Sequence, residues 1–158
     1  MKGILLSACM LLVSAGNLFA ADIIVPAGTR IEGSTMFGTF APAETATAQS
    51  ISLAIIATAN PAGNGDKEIP LKDCVILGDV VADVTVSRAF FRAVRIVCPN
   101  SKETNGSLLK GYAVDDKDNK LGIQGVAGGP PNQQRYVEIA PDTKVTVYTL
   151  EGIIVAIK

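Results

Sequence analysis

An all-β fold, either a single barrel or a sandwich-like barrel of short and mostly antiparallel strands, is what this sequence predicts. Three observations lead there. Apolar, β-branched runs recur along the chain; Gly, Pro, Asn and Asp punctuate them at short intervals; and no long stretch carries a convincing helical period.

The elements follow in order. Met1-Lys2 gives a short positive start, Ile4 to Val13 is apolar and uncharged, and "AGNLFAAD" supplies small and turn-forming residues. This is the layout of a secretory signal over residues 1–20, cut after Ala20 or Ala21. Two alternatives stay open: an uncleaved anchor, and a lipoprotein signal at "LSAC" ending in Cys9. The latter has an apolar region of only about five residues against the usual 7–15. The domain then spans 22–158. "DIIVPAG" is an apolar start closed by a Pro-x-Gly turn, and "TRIEGSTMFGTF" alternates weakly with bends at Gly33 and Gly38. "APAETATAQS" reads as a connector, "SISLAIIATA" as a strand and "NPAGNGDKEIP" as a loop. "CVILGDV" is a strand. "VSRAFFRAVRIVC" fits a helix by Val86, Phe90, Ala93 and Val97, but its β-branched second half favours a strand. "PNSKETNGS" is a turn, "LLKGYAVDDKDNKLGIQGVAG" a hairpin around an Asp/Asn tip, and "GGPPNQQ" a connector. "RYVEIA", "TKVTVYTL" and "IIVAIK" close the chain, the last two joined by a tight turn at Glu151-Gly152.

Composition restricts the chemistry. The chain has no histidine, which removes most general-base, nucleophile-activation and zinc schemes. Removing Lys2 with the signal leaves 13 of the 14 basic side chains against 15 acidic ones, with no Lys/Arg block. Electrostatic capture of nucleic acid is not expected. Of 3 cysteines, Cys9 leaves with the signal, and an exported chain with the even pair Cys74 and Cys98 predicts a structural disulfide, with free or intermolecularly paired cysteines as the alternative. In "VDDKDNKLG", Asp115, Asp116 and Asp118 do not make a calcium loop. Counting from Asp116, Lys120, Leu121 and Ala127 occupy positions that need a ligand, a glycine and an acid. A solvated hairpin tip is expected instead. "GIQGVAGG" lacks the Lys-Ser/Thr of a phosphate cradle. Arg88, Arg92 and Arg95 share one strand, where simple alternation puts Arg88 and Arg92 on one face and Arg95 on the other. They are either outward charge or candidate contacts to acids of a neighbouring subunit. No catalytic, cofactor or metal site is expected, and the chain does not read as an enzyme.

The residues resemble a family. Ile69-Pro70, Cys74, Gly78-Asp79, Ser87-Arg88-Ala89, Cys98, Gly111 with Asp115, and Gly122 fall in the order seen in the C-terminal domain of TraB/TrbI-type proteins. These are β-barrel channel components of conjugation and type IV secretion machines, and the likeness is to the F-type branch. "VPAGTRIEG" resembles the family's opening barrel strand and "RYVEIAPDTKVTVYTLEGIIV" its closing one.

The resemblance implies a periplasmic barrel packed into a homo-oligomeric ring under the outer membrane, beside other transfer-core proteins such as a lipoprotein or secretin-like partner. Two departures stand out. Family members usually start in the inner membrane and cross the periplasm on a Pro-rich segment, whereas here a signal leads almost directly into the barrel. The family's apolar helix pair, which lines the outer-membrane pore, is replaced by "GPPNQQ", too short for a span of about 20 residues. The expectation is a structural subunit near the outer membrane without spanning it. Two alternatives are a soluble periplasmic binding or regulatory module that works through an exposed loop, and a surface adhesin or pilus-like subunit.

Overall fold

Inward-facing Ile, Val, Leu and Ala at every second position of successive strands dictate a sheet with one apolar face, which must close on itself or on another sheet. In the computed structural model, which describes residues 21–43, 50–63, 65, 67–130 and 135–158, it closes on itself. The signal reading of residues 1–20, with Cys9, lies outside the described residues. The described residues are all-β and contain no helix. The strands are β1 (Ile23–Val25), β2 (Arg30–Thr35), β3 (Thr39–Pro42), β4 (Ile51–Ala57), β5 (Val75–Asp83), β6 (Arg88–Val97) and β7 (Ser107–Asp115). They are followed by β8 (Lys120–Leu121), β9 (Ile123–Gln124), β10 (Val126–Gly128), β11 (Tyr136–Ile139), β12 (Lys144–Thr149) and β13 (Ile153–Val155).

Six of these form the barrel, in the order β7-β12-β2-β4-β5-β6 and back to β7, with every neighbouring pair antiparallel. A barrel this narrow has room only for side chains. Ile31, Leu53, Ile55, Ile76, Val80, Phe91, Ile96, Leu109 and Val147 are buried within its core. At the bulge between β5 and β6 the neighbouring strand comes close to Gly78. A Cβ on Gly78 would lie 2.5 Å from the Phe91 ring and 2.3 Å from the Arg92 carbonyl oxygen, so only glycine fits there.

Two small sheets cover the ends. The β2–β12 ribbon bends and continues as the pair β3–β11, with β10 added at its edge. Ala41, Val137 and Ile139 of this sheet are fully buried in the common core. At the other end β1 pairs with β13, and Val25 and Val155 are likewise buried while Ile24 and Ile154 face outward. Buried threonines fix the corners. Thr35 Oγ1 donates to the Ala140 carbonyl at 2.9 Å and accepts the Thr143 N–H at 3.0 Å. Thr149 Oγ1 donates to the Pro26 carbonyl at 2.9 Å and accepts the Thr29 N–H at 2.9 Å. The barrel is therefore filled and lidded.

Three expectations are corrected. Glu151-Gly152 is not a hairpin turn, because both edges of β12 are already taken by β2 and β7, and β13 crosses to β1 instead. The connector from Ala41 begins as strand, in β3; residues 44–49 lie outside the described set. Arg95 does not face opposite to Arg92. The register slips so that Gly78 opposes Ala93 while Leu77 opposes Arg95, which leaves Val94 as an extra residue. This bulge reverses the alternation and puts Arg95 on the outer face with Arg92. The segment that is ambiguous between helix and strand forms β6.

Candidate functional site

The disulfide is where the cysteine count put it. Val75 opposes Val97, so Cys74 and Cys98 sit just beyond the paired ends of β5 and β6, with Cα atoms 4.1 Å apart and their sulfurs bonded. The bridge clamps the end of this hairpin opposite its turn, and both residues are buried. Its role here is to hold two strands in register.

The three arginines have different surroundings. Arg88 is 9 % exposed, covered by the hairpin tip that follows β7. Its guanidinium donates to the carbonyl oxygens of Gly122 at 2.8 Å and Leu121 at 3.3 Å, and pairs with Asp118. Arg92 reaches Asp79 at 3.4 Å on an open surface, and Arg95 donates to the Asn105 carbonyl at 3.2 Å. Of the three, Arg92 and Arg95 present charge to the outside, while Arg88 is held within the chain.

The Asp/Asn tip is only partly the solvated turn that was expected. Asn119 takes the left-handed conformation (φ 54°) that Asn tolerates. Asp115, however, is fully buried, and its carboxylate accepts the N–H groups of Lys117 and Gln124, each at 2.8 Å. Asp116 accepts from Thr146 Oγ1 at 2.7 Å, and Asp118 holds Arg88. Three carboxylates that look alike in the sequence tie the tip to β6, β9 and β12. Among the described residues, no buried side-chain nitrogen or oxygen lacks a hydrogen-bond partner, and no group of three or more acidic or cysteine side chains is placed to hold a metal.

The outer wall carries a feature the sequence hid. Register sets Asp79 opposite Arg92, Arg92 opposite Tyr112, Tyr112 opposite Tyr148, and Tyr148 opposite Arg30. One row therefore crosses five strands. The two tyrosine rings stack with centroids 5.6 Å apart and planes 17° apart. Arg30 and Arg92 flank them, each loosely paired with an acid, Glu32 at 3.8 Å and Asp79 at 3.4 Å. On the same wall Leu108 and Leu150 are 69 % and 60 % exposed. Tyr and Arg are residue types enriched in protein–protein contacts. Tyr112 and Tyr148 lie far apart in the chain, and only the β7–β12 register joins them; outward parity in "KGYAV" and "VTVYT" is the sole sequence signal.

The wall also bears on membranes. Its outward residues include Arg30, Glu32, Asp79, Arg92 and Lys110, and its inward ones are apolar, the reverse of a lipid-embedded barrel. Among the described residues, no helix is long and apolar enough to cross a membrane. Gly128 pairs with Tyr136, and the seven residues between them in the sequence are too few for a spanning helix, which needs about 20 residues. Of these, residues 131–134 lie outside the described set. No protein-family model and no curated protein sequence matches the chain.

Proposed function

We propose that this chain is a structural subunit of a type IV secretion or conjugative-transfer core complex in the periplasm, and that it acts by assembling into a ring with copies of itself and other core proteins, without catalysis. The observation that carries the reading is the filled, lidded barrel with an aromatic and cationic outer wall. A barrel packed solid with Ile, Leu, Val and Phe conducts nothing through itself, so a passage can exist only between copies.

Several of the motif residues have work to do in this fold, which accords with the reading. Cys74 and Cys98 clamp the β5–β6 hairpin, Gly78 makes room for Phe91, and Arg88 is held by the Gly122 carbonyl and Asp118. Export and an oxidising compartment accord with the disulfide. The segment after β10, too short to supply pore helices, fits a scaffold lying under the outer membrane and not through it.

The test is to tag the chain in a host expressing the neighbouring transfer proteins and fractionate the envelope. The expected result is an oxidised protein in the periplasmic and envelope fractions that co-purifies with a lipoprotein or secretin-like partner in a complex many subunits in size. Recovery as a reduced cytosolic protein, or as a periplasmic protein that co-purifies with none of the transfer proteins, overturns the proposal. Recovery with one stoichiometric partner and no larger assembly favours the binding-module alternative.

A further inference from the structure

The wall row has a counterpart on the same molecule. The lid formed by β10, β11 and β3 turns a second row outward, in which Val126 opposes Glu138 and Glu138 opposes Phe40. Val126 is 69 % and Phe40 54 % exposed, and Glu138 is exposed between them. The Phe40 ring is braced edge-on by Tyr136, with centroids 5.2 Å apart. Among the described residues Glu138 has no ion-pair partner. The lid thus presents one carboxylate, without an ion-pair partner among the described residues, between two apolar side chains. The wall presents two stacked tyrosines between two arginines whose own acids are 3.4 Å and 3.8 Å away and solvent-screened.

We propose that the lid of one copy docks on the wall of the next, with Glu138 meeting the arginine-flanked tyrosine pair and Phe40 and Val126 covering apolar wall surface. This rests on the assembly reading above and assigns the faces that assembly uses. The patches complement each other in charge and in apolar character. They lie on different elements, so each copy engages two neighbours by a head-to-tail contact, the type that generates rings when the rotation closes. A self-complementary patch would stop at a dimer.

The experiment measures the mass of the purified exported chain, alone and with its co-expressed neighbours, by sedimentation over a range of concentrations. Arg30→Glu/Arg92→Glu on the wall and Glu138→Arg on the lid are each expected to raise the concentration needed for assembly at least tenfold. Combining all three in one chain restores it, because reversed charges meet again; this rescue also excludes misfolding as the cause of loss. If the native chain assembles and neither variant changes that, or both lose assembly without rescue, the pairing is overturned while the assembly reading stands. If the native chain stays monomeric under every condition, both fall. If the wall variant alone assembles normally but no longer shifts a fluorescent oligothymidylate that the native chain binds, the wall belongs to single-stranded nucleic acid, and the pairing is overturned.

Discussion

Arg88 and Asp115 show how polar residues behave once the barrel closes over them. Removing the Arg88 guanidinium strands the Gly122 and Leu121 carbonyls and leaves Asp118 unpaired. Arg88→Met is expected to destabilise by about 2–3 kcal/mol, read from urea denaturation. Asp115→Ala removes a buried acceptor shared by the Lys117 and Gln124 N–H groups and is expected to cost about 2 kcal/mol in the same assay. Asp83 gives a pH prediction. The hydroxyl and N–H of Thr85, at the β5–β6 turn, hold its carboxyl below the usual 3.8. A depressed carboxylate stabilises above its unfolded-state pKa, and that contribution disappears as pH falls through the folded-state value. NMR titration should therefore find Asp83 below 3.8 and returning toward it in Thr85→Val; an unchanged midpoint would contradict the hydrogen bond. At this scale the sequence was readable where one residue type has one role, as with Cys74 and Cys98. It was not readable where burial decides. The tip aspartates look equally solvated in the sequence, and only packing shows that Asp115 is enclosed.

The hairpin β5–β6 is the element on which the covalent argument acts. Cys74 and Cys98 are 24 residues apart, and linking them restricts the unfolded chain by about 3–4 kcal/mol in the loop-entropy model. Reduction, or Cys74→Ser with Cys98→Ser, should lower the melting temperature by roughly 10–15 °C in calorimetry with and without a thiol reductant. A shift within a degree or two would mean that strand pairing alone fixes the register. Strand identity was legible for nearly every run because β-branched residues and turn punctuation agree. Pairing was legible only where short turns join neighbours. The turn at Glu151-Gly152 has hairpin chemistry, yet β2 and β7 occupy both edges of β12 and send β13 to β1. The bulge at Val94 likewise answers to two neighbouring strands at once, which no local pattern records, so the outward position of Arg95 could not be read from alternation.

Across the described residues the decisive property is a closed wall with an interior filled by apolar side chains and a lid at each end. The all-β barrel followed from alternation and length, but its solidity did not, because the lids are made by segments far apart in the chain, β1 with β13 and β3 with β11. The aromatic and cationic row on the wall is another product of long-range register. The proposed function has this solid block act through its neighbours, and the account stands on that proposal. The most direct test is single-particle mass measurement of the exported, oxidised chain together with the proteins encoded beside it. The account predicts a discrete closed assembly of many copies, surrounding an opening wider than any one barrel. A population that remains at the mass of one chain, or of one chain with one partner, at every concentration would contradict it.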